Sequence, residues 1–110
     1  MIFMKKKYFR SKNHLINVAS LPCQLCGAQG ESQAAHSNWS QWGGKGKSIK
    51  SSDEFTAALC QECHYKIDQG SKWSRDQRKE AWTLAHVRTV KELTESNKWP
   101  VDIPIPEVGQ

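Results

Sequence analysis

Two C-x-x-C pairs constrain this chain more than any other feature of its sequence. Cys23 and Cys26 form the first pair, Cys60 and Cys63 form the second, and 33 residues lie between the pairs. Four thiolates are the full ligand set of a tetrahedral structural zinc site. A chain of 110 residues buries only a modest core, so such a staple would help it to fold. The pattern predicts one small domain closed by Zn²⁺, and a redox or disulfide role for the cysteines is the alternative.

The beginning of the sequence carries the whole excess of positive charge. The net charge is +5, no acidic residue precedes Glu31, and acidic and basic residues balance beyond residue 12. A basic arm of this kind suits salt-dependent contact with phosphates, and a solubilising, frayed terminus is the alternative. The residues of the arm that we expect to contact nucleic acid are Lys5, Lys6, Lys7 and Arg10.

The sequence also bears on where the protein acts. No stretch is apolar over the roughly 18 residues that a membrane-spanning helix needs. Residues 1–12 lack the apolar run and the cleavage site of a secretory signal. We therefore expect a cytoplasmic protein without a membrane partner, in a reducing compartment where paired cysteines favour metal over a disulfide. We expect no small-molecule organic cofactor.

Apolar spacing and helix breakers predict the order helix, knuckle, strand, loop, strand, knuckle, helix. Pro22 should end the first helix, and Gly27 and Gly30 should allow the tight turn around the first cysteine pair. The predicted elements are a short helix within residues 11–22, strands within 32–39 and 54–60, a loop over 40–53, and a helix from Cys63 to about residue 69, ended by Gly70.

A longer helix should follow. Ser74 and Gln77 form the S-x-x-Q pattern of a capping box. Apolar and small residues then recur every three or four positions as far as Ser96: Trp82, Ala85, His86, Thr89, Val90 and Leu93. The last residues carry three prolines and should be extended, packed on the domain or offered to a partner. The chain thus divides into a basic arm (1–12), a zinc-containing domain (13–97) and a proline-rich tail (98–110).

His64 follows Cys63 directly and suggests a second site. Adjacent helical residues diverge by about 100°, so His64 should face away from a zinc ion bound by Cys63. Asp68 lies one turn later on the face of His64, and imidazole with carboxylate suits a divalent cation. A surface His–Asp pair is the alternative. His36 favours the cation, because the zinc staple should fold the strands so that His36 faces His64 and Asp68.

The string "HLINVASLPCQLCGAQGESQAAHSNW…GGKGK…SSDEFTAALCQECHYKID" resembles phage and prophage proteins of the HNH (ββα-metal, His-Me finger) nuclease superfamily. These include YbcO-like and Ref-like zinc-stapled recombination nucleases. The resemblance covers about residues 11–70 and rests on S-L-P-C-x-x-C, A-A-H, the G-x-G-K loop, a following Asp and L-C-x-x-C-H. It implies an α+β fold, a small zinc-stapled ββα-metal domain with flanking N- and C-terminal helices.

The resemblance also implies roles for single residues. His36 matches the general base that activates water, and His64 and Asp68 match ligands of a catalytic cation, which Asp shifts toward Mg²⁺ or Mn²⁺. The sequence departs from the pattern at Ala35, where relatives often place an acidic or histidine ligand. The middle Asn of the motif has two candidates, Asn38 and Asp53, the second of which would orient His36 or brace the loop.

We therefore expect a metal-dependent endonuclease that hydrolyses DNA with low sequence specificity in recombination or DNA processing, with a recombination protein or another phage or host protein as a possible partner. Lys45 and Lys47 of the glycine-rich loop would approach phosphate, and a flexible, solvated loop is the alternative. Trp39, Trp42 and Trp73 would stack on bases or pack in the core. A zinc-stapled DNA-binding module without catalysis and a protein-interaction factor that uses the tail are the alternatives.

Overall fold

The fold is α+β, with a two-stranded sheet and three helices in the part of the chain that the structure describes. This structure, a computed structural model, describes residues 10–37, 52–69, 72–101 and 103–106. None of the helices in these ranges combines the length and the hydropathy that a membrane-spanning segment requires. The elements are α1 (Lys12–Ala19), β1 (Ser32–His36), β2 (Thr56–Cys60), α2 (Gln61–Gln69) and α3 (Arg75–Glu95).

The order of elements confirms the prediction from the sequence, and the helix boundaries follow from local chemistry. Ser11 caps α1, because its hydroxyl accepts a hydrogen bond from the His14 backbone N–H at 3.1 Å. α2 begins at Gln61, directly after β2 and two residues earlier than predicted. The predicted capping box of α3 is present, with Ser74 and Gln77 each bonding the backbone of the other.

β1 and β2 pair antiparallel, and helices cover both faces of this hairpin. The register pairs Ser32 with Cys60 at one end and His36 with Thr56 at the other. Side chains alternate between the two faces of a strand. α2, which follows β2 without a break, packs on one face of the hairpin, and α1 packs on the other.

The two faces are distinguished by the clusters that their alanines join. Ala35 lies in a buried cluster with Ile67 of α2, and we name this side the α2 face. Ala34 and Ala58 pack with Val18 of α1, and we name this side the α1 face. Neighbouring residues of β1 therefore contact different helices.

α3 runs along the outer edge of β2 and satisfies its backbone. His86 Nδ1 donates to the Thr56 carbonyl at 2.9 Å, and the Ala58 N–H donates to Thr89 Oγ1 at 2.9 Å. Burial of all six residues of the predicted stripe of α3 confirms its helical spacing. Polar residues in this stripe thus replace a third strand, because unpaired backbone groups are costly when buried.

The described part of the tail turns back onto the domain. Trp99 Nε1 donates to the Ile103 carbonyl at 2.9 Å, and the Ile103 N–H donates to the Pro100 carbonyl at 3.3 Å. The ring of Trp99 lies edge-on to His14, with 4.6 Å between centroids. The described residues on either side of position 102 therefore turn back onto the domain instead of forming the extended segment that we predicted, because the indole of Trp99 packs on His14 of α1.

Candidate metal centre and histidine pairs

The four cysteines lie together at one end of the hairpin. All four Sγ atoms lie within 4.8 Å of one another, and the Sγ atoms of Cys26 and Cys60 are 3.7 Å apart. Thiolates bound tetrahedrally to zinc at about 2.3 Å have their sulfurs about 3.8 Å apart. The cluster therefore has the ligand chemistry and spacing to hold a zinc ion, as the two C-x-x-C pairs predicted.

Local backbone geometry builds the first knuckle. Gly27 has φ +88° and donates its N–H to the Cys23 carbonyl at 2.9 Å, which closes the turn between the two cysteines. Gly30 has φ +77°. Both angles lie in the left-handed region, where glycine has no steric cost. The Cys26 N–H also points at Cys23 Sγ, at 3.4 Å, as expected for a turn that surrounds a ligand.

The electrostatics of the cluster depend on burial. Burial raises the pKa of Cys60 and that of Cys63 because a thiolate is costly in an apolar environment. For Cys23 burial also acts to raise the pKa, but hydrogen bonds from backbone N–H groups outweigh it and lower the pKa to about 6. Four crowded thiolates therefore need a cation to remain charged together at neutral pH.

His64 and Asp68 form a pair one helical turn apart on α2. His64 Nε2 and Asp68 Oδ2 are 3.0 Å apart, and the two side chains are 30% and 34% exposed. The other ring nitrogen, Nδ1, is 2.8 Å from Gln33 Oε1 on β1. The hydrogen bond with Asp68 raises the pKa of His64, whereas burial acts against this rise. A chain of three polar groups thus runs from the strand to the last turn of the helix.

This pair has the donor atoms for a divalent cation. Two ligand atoms about 2.1 Å from Mg²⁺ at a right angle are about 3.0 Å apart, which matches the separation of Nε2 and Oδ2. The two side chains are partly exposed, which leaves room for water or a substrate oxygen. The same geometry serves a hydrogen bond between imidazolium and carboxylate, so protons compete with a cation for the pair.

His36 belongs to a different pair. Its Nε2 lies 2.9 Å from Asp53 Oδ1, and Asp53 is only 2% exposed. The Asp53 carboxylate also accepts from the Ser11 backbone N–H at 2.6 Å and from the Arg10 guanidinium at 3.4 Å. Asp53 therefore joins the end of β1 to the start of α1 and fixes the ring of His36.

The pair lies beside an open cavity of about 320 Å³. Its lining includes His36, Asp53, Lys12 and Leu15, of which the last two belong to α1. Within the described part of the chain, His36 Nδ1 has no hydrogen-bond partner. Because a carboxylate only accepts, Nε2 carries the N–H that bonds Asp53, and Nδ1 of the neutral ring has the lone pair.

The structure does not bring His36 together with His64 and Asp68. The residue of β1 that contacts His64 is Gln33, three positions before His36. An odd separation on a strand places two side chains on opposite faces. Gln33 and the buried Ala35 point to the α2 face, and His36 points to the α1 face. The expected arrangement, with His36 facing His64 and Asp68, is therefore wrong in its geometry; the catalytic roles of the three residues stay predictions.

Of the residues predicted to contact DNA, and of the three predicted tryptophans, only Arg10 and Trp73 lie in the described part of the chain. Arg10 is half-exposed and pairs with Asp53, so it lies at the histidine pair of the α1 face. Trp73 packs against the core cluster of the α2 face, which corresponds to the packing alternative. Outside the described residues lie Lys5, Lys6, Lys7, Asn38, Trp39, Trp42, Lys45 and Lys47.

Two residues of the α2 site were missed in the sequence. Gln33 contacts His64, and Arg78 of α3 donates to the Asp68 backbone carbonyl at 3.3 Å. Gln33 had a usable signal, because strand alternation places it on the same face as Ala35, next to the predicted helix that carries His64. Arg78 had none, since its contact depends on how α3 crosses α2.

Comparison with known proteins gives one result. A family model described as "Protein of unknown function (DUF968)" matches residues 1–91. Searches of curated proteins and of solved structures find no match. The match spans both cysteine pairs, both histidine–aspartate pairs and most of α3.

Proposed function

This chain belongs to the DUF968 family of proteins of unknown function, and we propose that it is a metal-dependent HNH-type endonuclease. It would hydrolyse DNA phosphodiester bonds with low sequence specificity, in phage or prophage recombination or DNA processing. One observation carries the proposal: a histidine held by a buried aspartate ends β1, and a second histidine–aspartate pair lies on the helix that follows β2 without a break.

In this proposal His36 is the general base. Its Nε2–H donates to Asp53, so Nδ1 has the lone pair that takes a proton from the attacking water. Asp53 stabilises the imidazolium that forms and prevents the ring from turning. Its own position is fixed by Ser11 and Arg10, which bind the same carboxylate. This arrangement supports a base role better than an isolated surface histidine would.

His64 Nε2 and Asp68 would hold the catalytic Mg²⁺ or Mn²⁺. When bound, that cation would neutralise charge on the scissile phosphate and on the leaving oxygen. Arg78 holds the last turn of α2 through the Asp68 carbonyl and so limits the movement of this ligand. The partial exposure of both side chains supports access for a phosphodiester.

Both pairs must serve one phosphodiester, although they lie on opposite faces. The sheet has only two strands, which lie about 5 Å apart, and His36 is the last residue of β1. His64 contacts Gln33, three positions before His36 on β1, so a DNA strand would have to extend along the hairpin as well as around its end to contact both pairs. The basic Arg10 and Lys12 lie on the α1 side of that path.

The test is nicking of supercoiled plasmid, and of single-stranded DNA, by the zinc-loaded protein with Mg²⁺ or Mn²⁺. We expect His36→Ala and His64→Ala each to lower the rate at least 100-fold. Tyr65→Ala is the matched control, because Tyr65 is an exposed neighbour of His64 on the same helix. Nicking by His36→Ala at the wild-type rate would point to a contaminating nuclease and refute the proposal.

The placement of the two pairs favours a second candidate, a zinc-stapled DNA-binding module without cleavage. Each histidine already has its own carboxylate, and the position before His36 is a buried alanine. This candidate predicts binding that weakens steeply with salt and no cleavage with any divalent metal. Nicking that depends on metal and on His36 would exclude it.

A further inference from the structure

We infer that Gln33 is a positioning residue for the cation site, and that it selects the ring tautomer of His64 that presents Nε2 as a ligand. The inference rests on the proposed cation site at His64 and Asp68. It adds a residue of β1 that neither the motif nor its spacing contains. Gln33 would act through His64, without touching the cation.

The hydrogen bonds of His64 carry this inference. In this orientation of the amide, Gln33 Oε1 lies 2.8 Å from His64 Nδ1, and because a carbonyl oxygen can only accept, Nδ1 would bear the proton. A neutral imidazole has one N–H, so Nε2 then has a lone pair. That lone pair faces Asp68 Oδ2 at 3.0 Å. Two acceptors at this distance repel each other unless a proton or a cation lies between them.

The reverse orientation of the amide gives a different site. If the Gln33 NH₂ group donated to Nδ1, the proton of His64 would sit on Nε2 and would be donated to Asp68. The three groups would then form a closed hydrogen-bond chain without a lone pair for a metal. The tautomer of His64 therefore separates a cation site from an ordinary surface pair.

The fold explains why residue 33 has this role. Gln33 and Ala35 are the residues of β1 that point to the α2 face, and Ala35 is buried in the core cluster. Gln33 is exposed, so it does not serve the core, and its side chain reaches the first turn of α2. An amide fixes the ring without adding charge, which leaves Asp68 as the anionic group of the pair.

The first experiment reads the tautomer directly. Histidine ¹⁵N chemical shifts of the zinc-loaded full chain, free of other metals and recorded as the pH is raised until the His64 ring is neutral, distinguish Nδ1–H from Nε2–H. We expect His64 to be protonated on Nδ1 in the wild type. In Gln33→Leu, which keeps a side chain of similar size without an acceptor, we expect both tautomers. Protonation on Nε2 in the wild type would overturn the inference.

The second experiment measures the affinity for Mn²⁺ by titration followed by electron paramagnetic resonance. Loss of a group that orients a metal-binding histidine weakens binding about 10- to 100-fold, so we expect at least a tenfold rise in Kd for Gln33→Leu. Gln33→Glu retains an acceptor and should restore wild-type affinity or improve it. Gln69→Leu, an exposed glutamine at the end of α2, is the matched control and should bind as the wild type does.

The outcomes separate this inference from the proposed function. Equal Mn²⁺ affinity of the wild type and Gln33→Leu refutes the role of Gln33 and leaves the cation site in place. Absence of Mn²⁺ binding by the wild type, with zinc still at the cysteines, overturns the cation site and this inference together.

Discussion

The two histidine–aspartate pairs of this hairpin have almost the same distance between their atoms and very different surroundings. His36 and Asp53 are 2.9 Å apart on the α1 face, and His64 and Asp68 are 3.0 Å apart on the α2 face. Asp53 is 2% exposed and also accepts from Ser11 and Arg10. Asp68 is 34% exposed, at the surface of a helix.

The difference in burial of the two aspartates implies different contributions to the stability of the fold and to ligand binding. A buried carboxylate must be satisfied by the protein itself, so Asp53 is committed to joining α1 to the hairpin. A partly exposed carboxylate exchanges contacts with solvent, so Asp68 stays accessible to a ligand. We therefore expect the Asp53 pair to contribute more to stability than the Asp68 pair, and we propose the Asp68 pair, not the Asp53 pair, as the cation site.

Removal of zinc should give the largest effect, because the cysteine cluster ties both faces to one hairpin. In small zinc domains the binding free energy is about 10–16 kcal/mol, comparable with the whole stability of a domain. We expect a strong chelator to unfold the protein, and added zinc to refold it under reducing conditions. Circular dichroism with measurement of bound zinc checks this result. Full helical signal in zinc-free protein would contradict it.

Substitution of the two aspartates tests the comparison itself. Asp53→Ala leaves the Ser11 N–H without its acceptor and removes two charge-assisted bonds, so we expect a loss of about 3 kcal/mol in the free energy of unfolding. Asp68→Ala should change it by less than about 0.5 kcal/mol. Urea unfolding of the zinc-loaded proteins measures both. Equal effects would remove the distinction between a structural and an accessible carboxylate.

The pH dependence of stability extends the comparison to a third histidine. Burial lowers the pKa of His86 to about 4, whereas the pair with Asp68 raises that of His64. An unfolded histidine has a pKa near 6.5, so His86 contributes stability that is complete above that pH and is lost as the pH falls toward about 4. The shift corresponds to about 3 kcal/mol. The contribution of His64 to stability depends on pH in the opposite direction. It is complete below about pH 6.5 and is lost as the pH rises through the pKa of His64 in the folded state. This contribution is small because the pair is partly exposed.

The measurement is the free energy of unfolding between about pH 4 and pH 7 for the wild type and His86→Leu, which cannot ionise there. Both proteins release zinc in acid, so their difference isolates His86. We expect the wild type to lose more stability than the variant as the pH falls. Parallel curves would show that His86 does not ionise differently in the folded state.

Local patterns predicted most of this fold. The cysteine pairs were identifiable because the two ligands of each pair are three positions apart within a single turn, and α3 was identifiable because its buried residues recur at helical spacing. The relation between His36 and His64 was not predicted, because it depends on which helix covers which face of the sheet. Part of this relation could have been predicted from the sequence. Ala35 and His36 are adjacent on a strand, so their side chains cannot both face α2.

We propose that the α2 face holds a divalent cation at His64 and Asp68. Anomalous diffraction from crystals of the zinc-loaded protein soaked in Mn²⁺ tests it most directly, with the zinc signal at the four cysteines as an internal control. We expect a manganese peak within bonding distance of His64 Nε2 and an Asp68 oxygen. A zinc peak at the cysteines without a manganese peak at this pair would contradict it.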